Sequence, residues 1–157
     1  MKLRVYLDTS IFNFAISTQN VLLEKEATLK LFEEIRAGKF APYISRVTLD
    51  EILRTTDKKR CDGLVEIVEK MSPEELLVTE EVVLLANRYI EAKIIPAKER
   101  NDALHIAVAV VYNLDVIVSW NFGHMVKLKT RREVPAINTL MGYKNIEICS
   151  PLEVIES

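Results

Sequence analysis

Glycine is scarce in this chain. The four present, Gly38, Gly63, Gly123 and Gly142, never cluster into a loop that could cradle a phosphate, which excludes the common nucleotide-binding motifs. Cysteine is scarcer still. Cys61 and Cys149 form no CxxC or Cys/His spacing, so no thiolate metal site is predicted and both thiols are expected reduced in a cytoplasmic protein. An excess of either charge is also missing. A net charge of -2 supplies no global basic field, so any nucleic-acid binding must use a local patch, an oligomer-built groove or cations that neutralise an acidic site. A long apolar run at the N-terminus is absent too. The stretch there is cut at Asp8, too early for a signal peptide or a membrane span. No repeat, linker or low-complexity tract divides the 157 residues, so residues 1–157 are read as one domain with room for a substantial core.

What is there begins with Leu3-Arg4-Val5-Tyr6-Leu7-Asp8. Four of the five residues before Asp8 are apolar, and the β-branched and aromatic types among them predict a strand buried on both faces, as in a parallel sheet covered by helices. Asp8 then stands at the carboxyl end of that strand, where open α/β sheets place their ligands. Thr9 and Ser10 follow. Their hydroxyls either cap the next helix or hydrogen-bond Asp8 or a water beside it.

Further along, Ile11 to Ile16 predicts a short helix and Gln19-Asn20 a break. Leu22, Leu23, Ala27, Leu31, Phe32 and Ile35 recur at helical spacing up to a stop at Gly38. Ala41 to Ser45 reads as a second strand, giving β-α-β. A helix from Ser45 carries Glu51 among Val47, Leu49, Ile52 and Leu53. That carboxylate either lies at the boundary, paired with Arg46 or Arg54, or points into a pocket. Lys58-Lys59-Arg60 reads as a basic turn before a helix that ends at Ser72-Pro73. Leu76 to Val78 reads as a short strand, and Val82 to Ile90 as an amphipathic helix.

From Asn101 to Tyr112 the chain is almost wholly apolar after Asp102, which predicts a central, deeply buried helix. In its first turn the free amides and the helix dipole favour an ionised Asp102 able to bind a cation. His105, one turn on, is either a hydrogen-bonded core residue or a partner of Asp102 on a metal. Val116 to Ser119 predicts another buried strand. Asn121 and His124 follow at its carboxyl end, the same end as Asp8 in a parallel sheet, whereas Asp115 falls at the opposite end. Lys127, Lys129, Arg131 and Arg132 form a basic cluster placed to hold a phosphate backbone. A helix through Ile137 to Met141 and a strand from Ile146 to Cys149 close the fold.

Asp8, Glu51 and Asp102 therefore come from a strand end, a helix and a helix start. Hard oxygen ligands in that combination suit Mg²⁺ or Mn²⁺, and the chemistry they serve is phosphodiester hydrolysis with water as nucleophile. A phosphoaspartyl mechanism of the haloacid dehalogenase type is excluded, since it needs a second Asp two residues after the first and Ser10 is there.

At Leu7-Asp8-Thr9-Ser10 with Phe12-Asn13, at Ser45 to Glu51, at Asn101 to Ala107 and at Ser119 to His124, the sequence resembles the PIN-domain family, specifically the VapC-like toxins and their relatives. The resemblance spans almost the whole chain in the family's order. It implies a three-layer α/β/α sandwich with a mainly parallel sheet. It also implies a metal-dependent ribonuclease site, with Asp8 and Asp102 as direct ligands and Glu51 holding the metal directly or through water. Thr9, Ser10, His124 and Lys129 are the supporting or substrate-facing residues expected around it. The family's usual fourth acid is replaced by Asn121, which can still coordinate or orient a water but adds no charge, so a second cation binds more weakly. Homodimers and a small antitoxin partner are further implications. The competing expectation is a PIN-like RNA-binding or scaffold protein that has lost turnover, motivated by Asn121.

Overall fold

The computed structural model describes residues 2–19 and 21–156. Five strands form one all-parallel sheet: β1 (Leu3–Leu7), β2 (Phe40–Ser45), β3 (Glu74–Leu76), β4 (Val116–Val118) and β5 (Glu147–Cys149), in the order β3-β2-β1-β4-β5. β1 lies in the middle, pairing Tyr6 with Tyr43 of β2 on one side and Leu7 with Val118 of β4 on the other. The chain leaves β1 toward β2 and returns later to β4, so a topological switch point opens between β1 and β4 at their carboxyl ends.

Side-chain alternation along β1 sorts the core into two layers. Val5 and Leu7, with Val116 and Val118, pack against α1 (Thr9–Ala15), α2 (Leu22–Arg36) and α4 (Lys58–Met71). Tyr6 and Ile117 face the other way, onto α5 (Glu80–Glu91), α6 (Arg100–Val111) and α7 (Leu128–Leu140). The result is the expected α/β/α sandwich. Helix α6 is the buried helix anticipated from its composition, with Ala103, His105 and Ile106 through Val110 all inaccessible. Gly38, at φ 86°, takes the left-handed conformation that stops α2.

Several boundaries differ from the expectation. The edge strand is Glu74–Leu76, two residues before the apolar run. An edge strand needs only one inward residue, here Leu76, and pairing with Tyr43 to Ser45 sets its register. Leu77 is left exposed. Lys58 to Arg60 is the first turn of α4, where Asp57 caps the Arg60 amide at 3.2 Å and the Arg60 guanidinium holds Asn13 Oδ1 at 2.9 Å. Helix α7 starts at Leu128, so Lys129, Arg131 and Arg132 lie on its opening turns, and Pro135 is accommodated inside it. The break expected at Gln19-Asn20 reaches Asn20, which lies outside the described residues. Among the described residues no helix is long and apolar enough to cross a membrane.

The loop after β4 is tied down from beneath. The buried Trp120 indole donates to Thr28 Oγ1 at 2.7 Å, and its ring lies between Phe14 and Phe122. Thr28→Val keeps the shape but leaves a buried N–H without an acceptor. Urea unfolding should show a loss of about 1–3 kcal/mol; an unchanged midpoint would mean the bond contributes nothing.

Candidate active site

Asp8 follows β1 and is 3% exposed. Its Oδ1 accepts from Ser10 Oγ at 2.6 Å and its Oδ2 from Ser119 Oγ at 2.9 Å. Each serine oxygen in turn accepts a backbone amide, Trp120 N–H for Ser10 and Asn121 N–H for Ser119, both at 2.9 Å. An ionised carboxylate can only accept, so both hydroxyls direct their protons at Asp8 and fix its rotamer. Burial raises the Asp8 pKa above the usual carboxylate range; His105 and the two serines oppose that, and Asp102 adds to it. Two carboxylates thus feel each other in one crevice.

Glu51, on α3 (Arg46–Leu53), is not the solvated helix residue of the alternative reading. Its Oε1 accepts from Thr9 Oγ1 at 2.6 Å and from His105 Nε2 at 2.7 Å, while Oε2 receives only a long 3.4 Å contact from Asn101. Arg46 instead pairs with Glu75. Burial acts to raise the Glu51 pKa, but His105, Thr9 and Asn101 together bring it below the ordinary value. Thr9 and Ser10 therefore each serve a carboxylate, and neither caps α1.

His105 is buried and hydrogen-bonded at both nitrogens, Nδ1 lying 2.6 Å from Tyr6 Oη. The chain continues from Tyr6 Oη to Ser45 Oγ at 2.8 Å, whose oxygen also accepts the Val47 amide that opens α3. Burial disfavours the imidazolium, yet Tyr6, Glu51 and Asp8 outweigh it and push the His105 pKa up to about 10. A carboxylate can only accept, so Nε2–H donates to Glu51.

Asp102 sits in the first turn of α6. Its Oδ2 is buried with no hydrogen-bond partner. Burial raises its pKa; Asn121, His105 and His124 favour the charge, and Glu99 opposes it. Asn121 uses Oδ1 to accept the His124 amide at 3.0 Å. The His124 side chain has a buried, unpartnered Nδ1 and an Nε2 3.9 Å from Glu99 Oε1, beyond hydrogen-bond reach. Among the described residues, one set of three potential metal ligands has all its atoms within 4.8 Å of one another: Glu99, Asp102 and His124. Asp8 and Glu51 lie outside that set. Lys129 Nζ donates to the Lys93 carbonyl at 2.9 Å, so the structure ties it to the end of α5 and not to a carboxylate. Asp115 binds the Arg4 amide at 2.7 Å, at the opposite end of β4.

Tyr6, Ser119 and Glu99 were missed by sequence reasoning. A signal existed for Ser119, which directly follows the buried strand β4 and so stands level with Asp8 once Leu7 pairs with Val118. Glu99 precedes Asp102 by three residues, a one-turn spacing that could have been read.

The PIN-domain family model matches residues 5–121, and the chain belongs to that family. No curated protein sequence matches it. Its fold is similar to that of VapBC2 from Rickettsia felis, crystallised with a DNA fragment from the promoter. That alignment has a TM-score of 0.57 at 17% identity and covers 94% of this chain and 98% of the other. VapBC-5 from Mycobacterium tuberculosis, a member of the VapBC family of toxin–antitoxin systems, aligns over the same shares at 18% identity with a TM-score of 0.49.

Proposed function

We propose that this chain is a metal-dependent endoribonuclease, with residues 1–157 acting as one PIN-like domain. One observation carries the reading: Asp8 and Asp102 are carboxylates at one crevice with pKa values raised by burial, and Asp102 Oδ2 is buried without a partner. Burying such charges without compensation is costly, and a divalent cation bound between oxygen ligands offsets that cost. Oxygen donors of this kind suit Mg²⁺ or Mn²⁺, which Asp8 and Asp102 would hold directly and Glu51 directly or through water. When bound, the cation polarises a phosphoryl oxygen and lowers the pKa of the attacking water.

The chain's own residues do the positioning. Ser10 and Ser119 orient Asp8, while Thr9 and His105 hold Glu51 by one oxygen and leave the other weakly engaged. Phe122, 54% exposed next to Asn121, offers an unpaired base a ring to stack on, and the exposed cations at the start of α7 can hold the phosphate backbone. The reading extends to a homodimer acting in the cytoplasm as the toxin partner of a small antitoxin, by likeness to VapC-like members of the family.

A fluorescent single-stranded RNA incubated with Mn²⁺, Mg²⁺ or EDTA tests the proposal, with Asp102→Asn alongside. We expect cutting by the wild type only, abolished by EDTA. A folded wild type that binds RNA and Mn²⁺ but never cuts favours the second reading, a PIN-like RNA-binding protein, for which Asn121 in place of a fourth acid is the specific support.

A further inference from the structure

We propose that Glu99, Asp102 and His124 form a mixed oxygen–nitrogen cation site, in which His124 supplies the ligand that Asn121 cannot, and that this site takes a first-row transition-metal dication in preference to Mg²⁺. The inference rests on the metal-dependent reading and deepens it. Asn121 is the first reason. Its one ligating atom, Oδ1, already accepts the His124 backbone amide at 3.0 Å, and its NH₂ group cannot ligate a cation.

The same hydrogen bond delivers the replacement. It closes a tight turn that places His124 three residues on, and Thr130 Oγ1 fixes the other side by donating to the His124 carbonyl at 2.6 Å. The imidazole then joins Glu99 and Asp102 with all three ligand atoms within 4.8 Å of one another. Ligands about 2 Å from one ion lie no more than about 4 Å apart, so a small side-chain adjustment brings these three onto a common cation. Nothing in the protein satisfies the pair most in need of a partner: Asp102 Oδ2 and His124 Nδ1 are both buried and unbonded. Buried polar atoms are seldom left so.

The donor chemistry sets the preference. Mg²⁺ favours an all-oxygen shell and keeps its waters, whereas imidazole nitrogen binds transition-metal dications better.

Mn²⁺ is the probe. The full chain carries two histidines, His105 and His124, and both His105 nitrogens are already hydrogen-bonded. With one equivalent of Mn²⁺ bound to the folded chain, electron spin-echo modulation should show ¹⁴N coupling from a directly bound imidazole. His124→Ala and His124→Gln should each abolish that coupling and weaken Mn²⁺ binding about 10–100-fold, with Mg²⁺ affinity unchanged. Circular dichroism confirms that the variants fold; both keep the backbone bonds at position 124. Bound Mn²⁺ without ¹⁴N coupling, or coupling that survives in both variants, overturns this inference and leaves the nuclease reading standing. A folded wild type that binds no Mn²⁺ overturns both.

Discussion

Replacing Asp8 with Asn should lower the rate of RNA cleavage by about 10³-fold or more and at the same time raise the thermal midpoint of the metal-free protein. The rate loss follows from removing a carboxylate that holds the cation, an interaction whose several kcal/mol at the transition state correspond to that factor. The stability gain follows from the sign of the Asp8 shift. Burial raises its folded pKa above the unfolded value, so at low pH the protonated side chain carries no penalty. As pH rises above the unfolded pKa the penalty develops, and it is complete once pH exceeds the folded pKa. The amide removes that penalty while keeping an acceptor for one serine. In a chain of this size each kcal/mol recovered is worth roughly 2–4 °C. Differential scanning calorimetry in EDTA, paired with the cleavage assay, checks both halves. A variant that is inactive and also markedly less stable would mean that Asp8 is structural.

His105 should make stability fall with rising pH, and the window is set by its own shift. Its folded pKa of about 10 lies above the unfolded value of about 6.5. The stabilisation is therefore fully present below about pH 6.5 and is lost as pH rises through about 10, with a slope of up to about 1.4 kcal/mol per unit from this one proton. His105→Gln should remove that slope and cost about 2–3 kcal/mol at pH 6. A fully buried pair would cost about 3–5 kcal/mol, but Glu51 keeps 30% of its side chain exposed. Urea unfolding of both proteins from pH 6 to 10 gives the comparison. Parallel curves would show that His105 is neutral in the folded protein and that its bonds to Tyr6 and Glu51 contribute without charge.

The centre of the sheet was legible because β1 and β4 are buried on both faces and so read as continuous apolar runs. Edges were less so. β3 buries only Leu76, so the apolar run ending at Val78 drew the expected strand two residues too far along. The polar start of α7, from Leu128 to Arg132, carries no helical apolar period and hid the first two turns behind a charge cluster. At the site, Asp8 and Asp102 announced themselves by position, one ending a buried run and the other opening a buried helix. The tie from Glu51 to His105 crosses 54 residues of sequence, and no local pattern encodes it. Of the two readings of His105, the hydrogen-bonded core residue is the one the structure shows. What it bonds to is set by the packing of α3 against α6. Asn121 was legible as a departure from the family's acid; that its oxygen is turned into the His124 turn required coordinates.

The most direct test of the central claim is the chemistry of the cut ends. Cleaving single-stranded RNA with Mn²⁺ in ¹⁸O-enriched water, and reading the products by mass spectrometry, distinguishes hydrolysis by water from attack by the neighbouring 2′-hydroxyl. The account predicts linear terminal phosphates carrying one solvent oxygen, no 2′,3′-cyclic phosphate at any time point, and no product in EDTA. Cyclic phosphate ends, or cutting that persists after the metal is removed, would contradict it.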